Sequence, residues 1–436
     1  MGRDKIPDEA ADGVSRREAL AMLAGVAGAG LADMSEGAIG SVPAATRAAR
    51  RFRIRTLTAG APLASLAATG DVEAALDFLA EARRRFDDAG YEVQTIRVAL
   101  NPLLVDVSPA ERRAALPKLE ALDRLVAERG AILNIGPVFA SGPPDESIGA
   151  WAAELVRATQ ATSFSVAVAS PALGVHYTAV RMAAVVMSAL AGATPGGAAN
   201  FRFAAAACIA AGTPFFPVGY HEGPASLAIG LESANLVTDA FDGTPDAGQA
   251  SDRLRALLNA ALRPVQEIGQ AIAAHARRRY LGLDSSPAPG IDCSIGRALE
   301  TFTGQPFGAA STLQACAAVT AAVKSLDVET CGYCGLMLPI LEDPVLAARA
   351  AEGRVSLAEL LLYSSVCGTG LDVVPVPGDA PAAALARVVG DVATLAVRLR
   401  KPLSARLFPA PGKKAGDWVE FPDPRLCASK VLALGP

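Results

Sequence analysis

The sequence predicts an α/β protein built on a mostly parallel sheet, and three observations support that class. Short apolar runs typical of buried strands alternate along the chain with amphipathic segments of helical period. Residues that cap helices or form turns mark many of the boundaries. Hydrophobic residues make up 51% of the 436 residues and charged residues 19%, enough for a large core. Periodicity alone leaves open whether the sheet is doubly wound or closed.

In the first half of the folded part, caps define two of the helices. Asp71 is the predicted N-cap of a helix that Gly90 ends. Ser108 caps the next helix, and Pro109 occupies its first position. The predicted strands are 54–59, 93–100, 131–138 and 163–169, and the predicted helices are 71–89, 108–129, 147–159 and 178–190.

The second half repeats this alternation with longer helices. Pro264 lies inside the segment 250–280 and predicts a kink or two separate helices there. An apolar run at 214–220 is also strand-like, and His221 follows it. The other predicted helices are 294–302, 311–323, 356–366 and 382–400, and the other predicted strands are 336–341, 371–376 and 405–409.

The first 50 residues are predicted to be a leader and linker, followed by a single α/β domain at 51–436. Arg16 and Arg17 precede a weakly apolar stretch, in the order of a twin-arginine export signal. This order predicts export to the periplasm or the cell exterior. The alternative is a disordered or amphipathic leader on a cytoplasmic protein, because the arginines follow several acids and Ala19 stands where such signals usually have phenylalanine.

Composition restricts the classes of partner. The net charge of −4 and the lack of a basic run longer than 277–279 argue against a nucleic-acid partner. No uninterrupted apolar stretch of about 18 residues predicts a stable membrane span. Seven cysteines are too few for a disulfide scaffold. A small-molecule ligand is the expected partner, and a homo-oligomer is compatible with these features.

The segment 365–381 joins a thiol, two glycines and an acid ahead of an apolar run. This segment resembles the uncharacterised domain-of-unknown-function family 711, and so do the segments 283–289, 338–343 and 410–421. Shorter matches to the same family lie at 55–60, 174–180 and 216–221. The resemblance runs from about residue 53 to about residue 434. It implies a closed, barrel-like, mostly parallel sheet surrounded by helices, because the family is grouped with the pyruvate formate-lyase-like (glycyl radical enzyme-like) barrels. The sequence departs from the family pattern at Cys334 and Glu222, where the family usually has a small hydroxyl residue and a glycine.

Glycyl-radical chemistry is not expected despite that grouping. Such an enzyme needs a C-terminal glycine in an Arg-Val-x-Gly-aromatic setting. Gly412, Gly416 and Gly435 all lack that setting. Polar chemistry by a thiolate, an imidazole or a carboxylate is predicted instead.

Three residues are predicted to be catalytic. Cys367 is the candidate nucleophile, at a position where the resemblance also places a cysteine, although a buried structural cysteine is the alternative. His221 is a candidate general base, acid or metal ligand in a loop after an apolar run, and the alternative is a loop histidine satisfied by a backbone carbonyl. Asp372 could orient a partner or bind a cation, and the alternative is that it caps the loop.

His176, Arg406 and Glu222 are predicted to bind substrate. His176 precedes a helix whose free amides could hold an anion, with Thr178 as the expected N-cap, and ordinary helix capping is the alternative. Arg406 interrupts an apolar strand, and a buried guanidinium needs a partner or a ligand.

The cofactor is unknown, and no metal ligand is assigned. A divalent cation is compatible with carboxylates at several strand ends, namely Asp284, Asp292, Glu342 and Asp343. Cys331 and Cys334 have redox-type spacing, but a packed, unmodified pair is favoured.

Two functions from different classes follow. One is an enzyme that acts on a small anionic metabolite by non-radical chemistry, as a lyase, isomerase or hydrolase. The other is a non-catalytic metabolite-binding or regulatory protein on the same barrel. Convergence of Cys367, His221 and an acid on one pocket would favour the enzyme, and scattered positions would favour the binding protein.

Overall fold

The structure, a computed structural model, describes residues 51–244 and 246–435. Its strands are β1 (Arg53–Ala61), β2 (Val93–Leu100), β3 (Ala131–Pro137), β4 (Thr162–Ser170), β5 (Gly174–Val175), β6 (Phe203–Ala207), β7 (Ser226–Glu232), β8 (Arg279–Ala288), β9 (Gly370–Pro377), β10 (Leu403–Ala410), β11 (Trp418–Val419) and β12 (Ser429–Lys430). Its α-helices are α1 (Gly70–Asp88), α2 (Pro109–Glu128), α3 (Ser147–Ala158), α4 (Tyr177–Ala191), α5 (Ala234–Phe241), α6 (Ala247–His275), α7 (Ile295–Thr303), α8 (Thr312–Lys324), α9 (Pro344–Ala351), α10 (Leu357–Ser364) and α11 (Ala382–Leu399), and a 3₁₀ helix covers Pro195–Arg202.

Ten strands form one mixed sheet, in the order β8-β7-β1-β2-β3-β4-β6-β10-β9 with β5 beside β4. The strands β1, β2, β3, β4 and β6 pair in parallel. At one end, β7 is antiparallel to β1 and parallel to β8. At the other end, β10 is antiparallel to β6 and parallel to β9. The α/β class and the mostly parallel sheet are therefore confirmed.

The segment 329–340 contacts both ends of this strand path. Leu283 of β8 bridges Thr330, and Pro339 bridges Asp372 of β9. The Ile340 amide also donates to the Asp372 carbonyl at 3.1 Å. No ladder joins β8 directly to β9 among the described residues.

Local sequence explains where the helices begin. In α2, the Ser108 hydroxyl accepts from the Glu111 amide while the Glu111 carboxylate accepts from the Ser108 amide. The apolar face of α1 buries Leu79 and Phe86 completely. Each such buried side chain stabilises the fold by roughly 1.5–3 kcal/mol. All seven residues of β7 are buried, as expected for a strand covered on both faces.

Some predicted elements are wrong. The strands β6, β7 and β8 are missed by the prediction. In the case of β6, the alanine-rich sequence lacks the β-branched residues that usually indicate a strand. The runs 214–220 and 336–341 form turns and loops, where prolines cannot donate to a ladder. The helix α6 passes Pro264 as one continuous helix and ends at His275.

The N-caps of two helices also differ from the prediction. Thr69 rather than Asp71 precedes α1, and His176 rather than Thr178 precedes α4. The predicted leader and its export signal lie outside the described residues and stay predictions. No helix in the described part of the chain combines the length and the apolar character needed to cross a bilayer.

Candidate anion-binding cavity

A cavity of about 310 Å³ lies where β1 and β2 approach the carboxyl end of β8 and the strands β9 and β10. Four arginines line it, against three carboxyl groups. Arg55 is on β1, Arg97 on β2 and Arg406 on β10, and Arg425 comes from the C-terminal loop. The carboxyl groups are those of Asp284, Glu342 and Asp372.

Glu342 links two of the arginines. One of its carboxylate oxygens accepts from Arg55 Nη2 at 2.9 Å, and the other accepts from Arg406 Nη2 at 2.8 Å. Arg406 Nε also donates to Asp372 at 2.6 Å. Arg55 in addition donates through Nη1 to Glu232 at 2.6 Å. Side chains from distant parts of the chain are thereby held in one network.

Arg406 is almost completely buried, and its charge is retained by its partners. Burial alone would lower the pKa of Arg406, but Asp372 and Glu342 outweigh this effect and raise it. The guanidinium carbon lies 5.1 Å from the ring centroid of Phe201 and 5.4 Å from that of Phe215. Its third nitrogen, Nη1, is buried without a hydrogen-bond partner among the described residues.

Arg97 is buried without any carboxylate within ion-pair distance in the described part of the chain. Its Nη1 donates to the Pro214 carbonyl at 3.0 Å, and its Nε has no hydrogen-bond partner there. Burial, followed by the nearby positive charge of Arg55, lowers the pKa of Arg97 to about 9. Uncompensated buried charge is costly, so an anion from solution would be bound favourably at this position.

Asp284 supplies a buried carboxyl group to the same cavity. It accepts from the amides of Tyr333 and Cys334 at 3.0 and 3.1 Å, and from the Ser286 hydroxyl at 2.6 Å. Burial raises the pKa of Asp284, although these hydrogen bonds oppose the effect. A raised pKa shifts a carboxyl group toward its protonated form, the direction that a general acid needs.

Of the predicted site residues, the structure brings only Asp372 and Arg406 into this cavity. Cys367 is fully buried in the hydrophobic core and does not line the cavity. The Lys401 ammonium donates to the Cys367 carbonyl at 2.6 Å, so this segment is packed.

The two predicted histidines and Glu222 also lie away from the cavity. His221 is buried, with Nε2 2.9 Å from the Gly223 carbonyl and Nδ1 3.3 Å from the Ser226 hydroxyl. Burial lowers the pKa of His221. Glu222 is exposed, and His176 lines a second, smaller cavity. The predicted cluster of Cys367, His221 and Asp372 is therefore not formed.

The other candidate groups have structural partners. Asp343 accepts from the first amides of both α7 and α9, which explains its burial. Asp292 pairs with Arg53 at the surface. Cys331 and Cys334 are free thiols. Within 51–244 and 246–435, no three His, Cys, Asp or Glu side chains are grouped so that they could hold a metal ion.

Sequence reasoning missed three arginines of the cavity, Arg55, Arg97 and Arg425. A signal for Arg97 was present, because it interrupts the apolar strand Val93–Leu100 as Arg406 interrupts β10. Arg425 gives no such signal, since it lies in an irregular loop and its guanidinium carbon comes to 4.8 Å from the Phe201 ring centroid only through tertiary contact.

Comparison with known proteins places this architecture in a family. A UPF0210 protein of Pyrobaculum islandicum is 32% identical over 345 residues, covering 75% of this chain and 76% of the relative. A UPF0210 protein of Pyrobaculum arsenaticum is 30% identical over 348 residues, covering 76% and 77%. One of Neisseria gonorrhoeae is 24% identical over 401 residues, covering 85% and 88%. The family described as Uncharacterised ACR (DUF711) matches residues 48–424, and the chain therefore belongs to this family.

Proposed function

We propose that the arginine-lined cavity binds a small anionic metabolite. The observation that carries the proposal is Arg97, a buried guanidinium with no carboxylate partner among the described residues. Arginine presents a planar fork of donors that matches carboxylate and phosphate groups. The unpaired Nε of Arg97 and Nη1 of Arg406 are the donors that a bound anion would satisfy.

The cavity also limits the size and shape of the ligand. Its volume of about 310 Å³ holds roughly ten groups the size of a water molecule. Phe201, Phe215 and Phe216 form part of its wall. A ligand with one or two anionic groups on a compact, partly apolar frame fits these dimensions and this lining.

The first form of the proposal is an enzyme that uses polar, non-radical chemistry. Asp284 replaces Cys367 and His221 as the candidate acid or base, because it is the carboxyl group in the cavity that accepts from backbone amides and a hydroxyl rather than from arginine. The second form is a non-catalytic metabolite-binding or regulatory protein. The positions of Cys367 and His221 away from the cavity favour the second form.

We propose that the segment 329–340 closes the strand path between β8 and β9 into a barrel, as in the pyruvate formate-lyase-like group. Its bridges to Leu283 and Asp372 support this arrangement. Tyr333 and Met337 of the same segment are buried, and Met337 lines the cavity.

The test is ligand-induced stabilisation in the variant Arg97→Met. A panel of small carboxylates, dicarboxylates and phosphate esters would be screened by thermal unfolding, since a ligand at 100 times its Kd stabilises by about 2.7 kcal/mol. The anion that stabilises the wild type should bind Arg97→Met at least about tenfold more weakly, because one charge-assisted hydrogen bond contributes roughly 1.5–3 kcal/mol.

The matched control is Arg84→Met, which removes an exposed arginine of α1 that does not line the cavity. It should leave the affinity unchanged. Equal affinity in Arg97→Met and the wild type would refute the binding site. With a ligand identified, Asp284→Asn separates the two forms: loss of turnover with binding retained supports the enzyme.

A further inference from the structure

We propose that Ser170 and His176 form a nucleophile–base pair at a second site, which acts on short-chain acyl esters. Ser170 is the last residue of β4, and His176 immediately precedes α4. The Ser170 hydroxyl oxygen lies 3.0 Å from His176 Nε2. The other ring nitrogen, Nδ1, lies 3.1 Å from the Ala167 carbonyl oxygen.

These two distances define the tautomer of the imidazole. A carbonyl oxygen can only accept, so Nδ1 carries the hydrogen that it donates to Ala167. In the neutral ring, Nε2 is then the acceptor, and Ser170 must donate its hydroxyl proton to it. This is the relation between nucleophile and general base in serine hydrolases, with a backbone carbonyl in the orienting role that a carboxylate usually takes.

A separate cavity of about 170 Å³ adjoins the pair. Its wall is mostly apolar and includes Ala206, Ile209 and Val218, with Tyr220 at one side. The volume holds roughly five or six groups the size of a methylene or a water molecule. None of the described residues that line it is Lys, Arg, Asp or Glu, so its chemistry suits a short uncharged acyl chain and not the anion proposed for the arginine-lined cavity.

The site is also open to solvent. Ser170 and His176 are half-buried, and two apolar side chains at its edge are strongly exposed, Leu173 at 72% and Tyr177 at 78%. The site lies at the carboxyl ends of the parallel strands β3, β4 and β6, where ligands bind in α/β proteins.

The reaction balances with water as the co-reactant. Ser170 Oγ bonds to the ester carbonyl carbon while its proton passes to His176 Nε2. The bond to the alcohol then breaks, and the alcohol leaves with that proton. Water attacks the acyl-serine with its proton taken by His176, the bond between carbon and Oγ breaks, and the acid is released with the serine hydroxyl restored.

A purely structural role for Ser170 makes a different prediction. Its oxygen accepts from the Leu173 amide at 3.2 Å, which closes the turn between β4 and β5. A serine that only closes a turn would have no unusual reactivity. The distinguishing readout is therefore the rate of covalent modification.

The experiment treats the full chain with an alkyl fluorophosphonate and locates the adduct by peptide mass spectrometry. Ser170 Oγ should form the bond to phosphorus as fluoride leaves. His176→Gln should slow labelling by about a hundredfold, within the usual effect of a general base. The same variant should lose hydrolysis of 4-nitrophenyl butyrate.

Ser188→Ala is the matched control. Ser188 lies on α4 outside the wall of this cavity, and its hydroxyl has no hydrogen-bond partner among the described residues and so no base to activate it. This variant should be labelled at Ser170 at the wild-type rate.

Ser170→Ala should not be labelled in this segment. If it fails to fold, Ser170→Cys serves instead, and its alkylation by iodoacetamide should slow when His176→Gln is added. Absence of an adduct at Ser170 in the wild type, or equal rates with and without His176, would overturn the proposal.

Discussion

The arginine-lined cavity and the cysteine–glycine segment 365–370 are both buried, yet they differ in how completely their polar groups are satisfied. In the cavity, two guanidinium nitrogens lack a partner among the described residues. In the segment, the carbonyls of Ser365 and Cys367 accept from Lys401, and the orphaned polar atom is the neutral hydroxyl of Thr369. Unsatisfied charge therefore distinguishes the proposed ligand site from a packed turn, although both contain the residue types of a catalytic motif.

The glycines of the segment have a packing role. Gly335 and Gly368 bring two backbones so close that a Cβ on either would lie 2.4 Å from the Cα of the other. Small residues at 365–370 thus permit close approach of the segment 329–340. In the cavity, by contrast, long charged side chains fill the space between strands.

The largest expected effect is that of Arg406→Met, which tests whether the cavity network is held by its charges. The substitution leaves Asp372 and Glu342 buried, and Asp372 then lacks its ion-pair partner. The free energy of unfolding should fall by about 3–5 kcal/mol, as for other broken buried pairs. Chemical denaturation with a tryptophan or circular-dichroism signal measures it.

The control is Arg84→Met, which breaks only the exposed pairs with Glu81 and Asp88. It should leave the free energy of unfolding nearly unchanged, because solvent screens exposed ion pairs. A loss of the same small size in Arg406→Met would contradict the view that the network is a buried, interdependent one.

A smaller effect is expected for Gly335→Ala, which tests the packing assigned to the segment. The new methyl would meet the Gly368 backbone at 2.4 Å, so the chain must shift. A loss of roughly 2–3 kcal/mol in the free energy of unfolding is expected from such overpacking.

Gly390→Ala on α11 is the control, since its nearest contact would be Val180 Cγ1 at 3.9 Å. It should be neutral or stabilising by about 0.5–1 kcal/mol. Equal effects of the two substitutions would argue against close backbone packing.

The smallest effect is expected for Cys367→Ala. The sequence predicts that this residue is functional, and the structure favours core packing instead. The variant should lose about 1–2 kcal/mol of stability through the small void that it creates, with anion binding in the cavity unchanged. Cys316→Ala, another buried core thiol, should behave in the same way. Loss of ligand binding or turnover in Cys367→Ala alone, with stability retained, would restore the catalytic interpretation.

The sequence by itself determined the α/β class and most helix positions, and it singled out two residues that line the cavity, Asp372 and Arg406. These depend on local physics: the period of apolar residues sets the helices, and the capping box at Ser108 and Glu111 forms between neighbours in the chain. Arg406 was identifiable because a charged residue inside an apolar strand must find a partner or a ligand. Asp372, its partner, lies only 34 residues away.

Only the tertiary structure decided the composition of the site. Arg55 and Glu342 are 287 residues apart in sequence, and no local pattern records that their side chains meet. The alanine-rich β6 becomes a strand because β4 and β10 supply its hydrogen-bond partners, not because of its own propensity. The burial of Arg97, which has no carboxylate within ion-pair distance in the part of the chain that the structure describes, likewise arises from the packing of β2 against the 214–216 loop. Contacts between distant segments set burial and unpaired charge, and these quantities define a binding site.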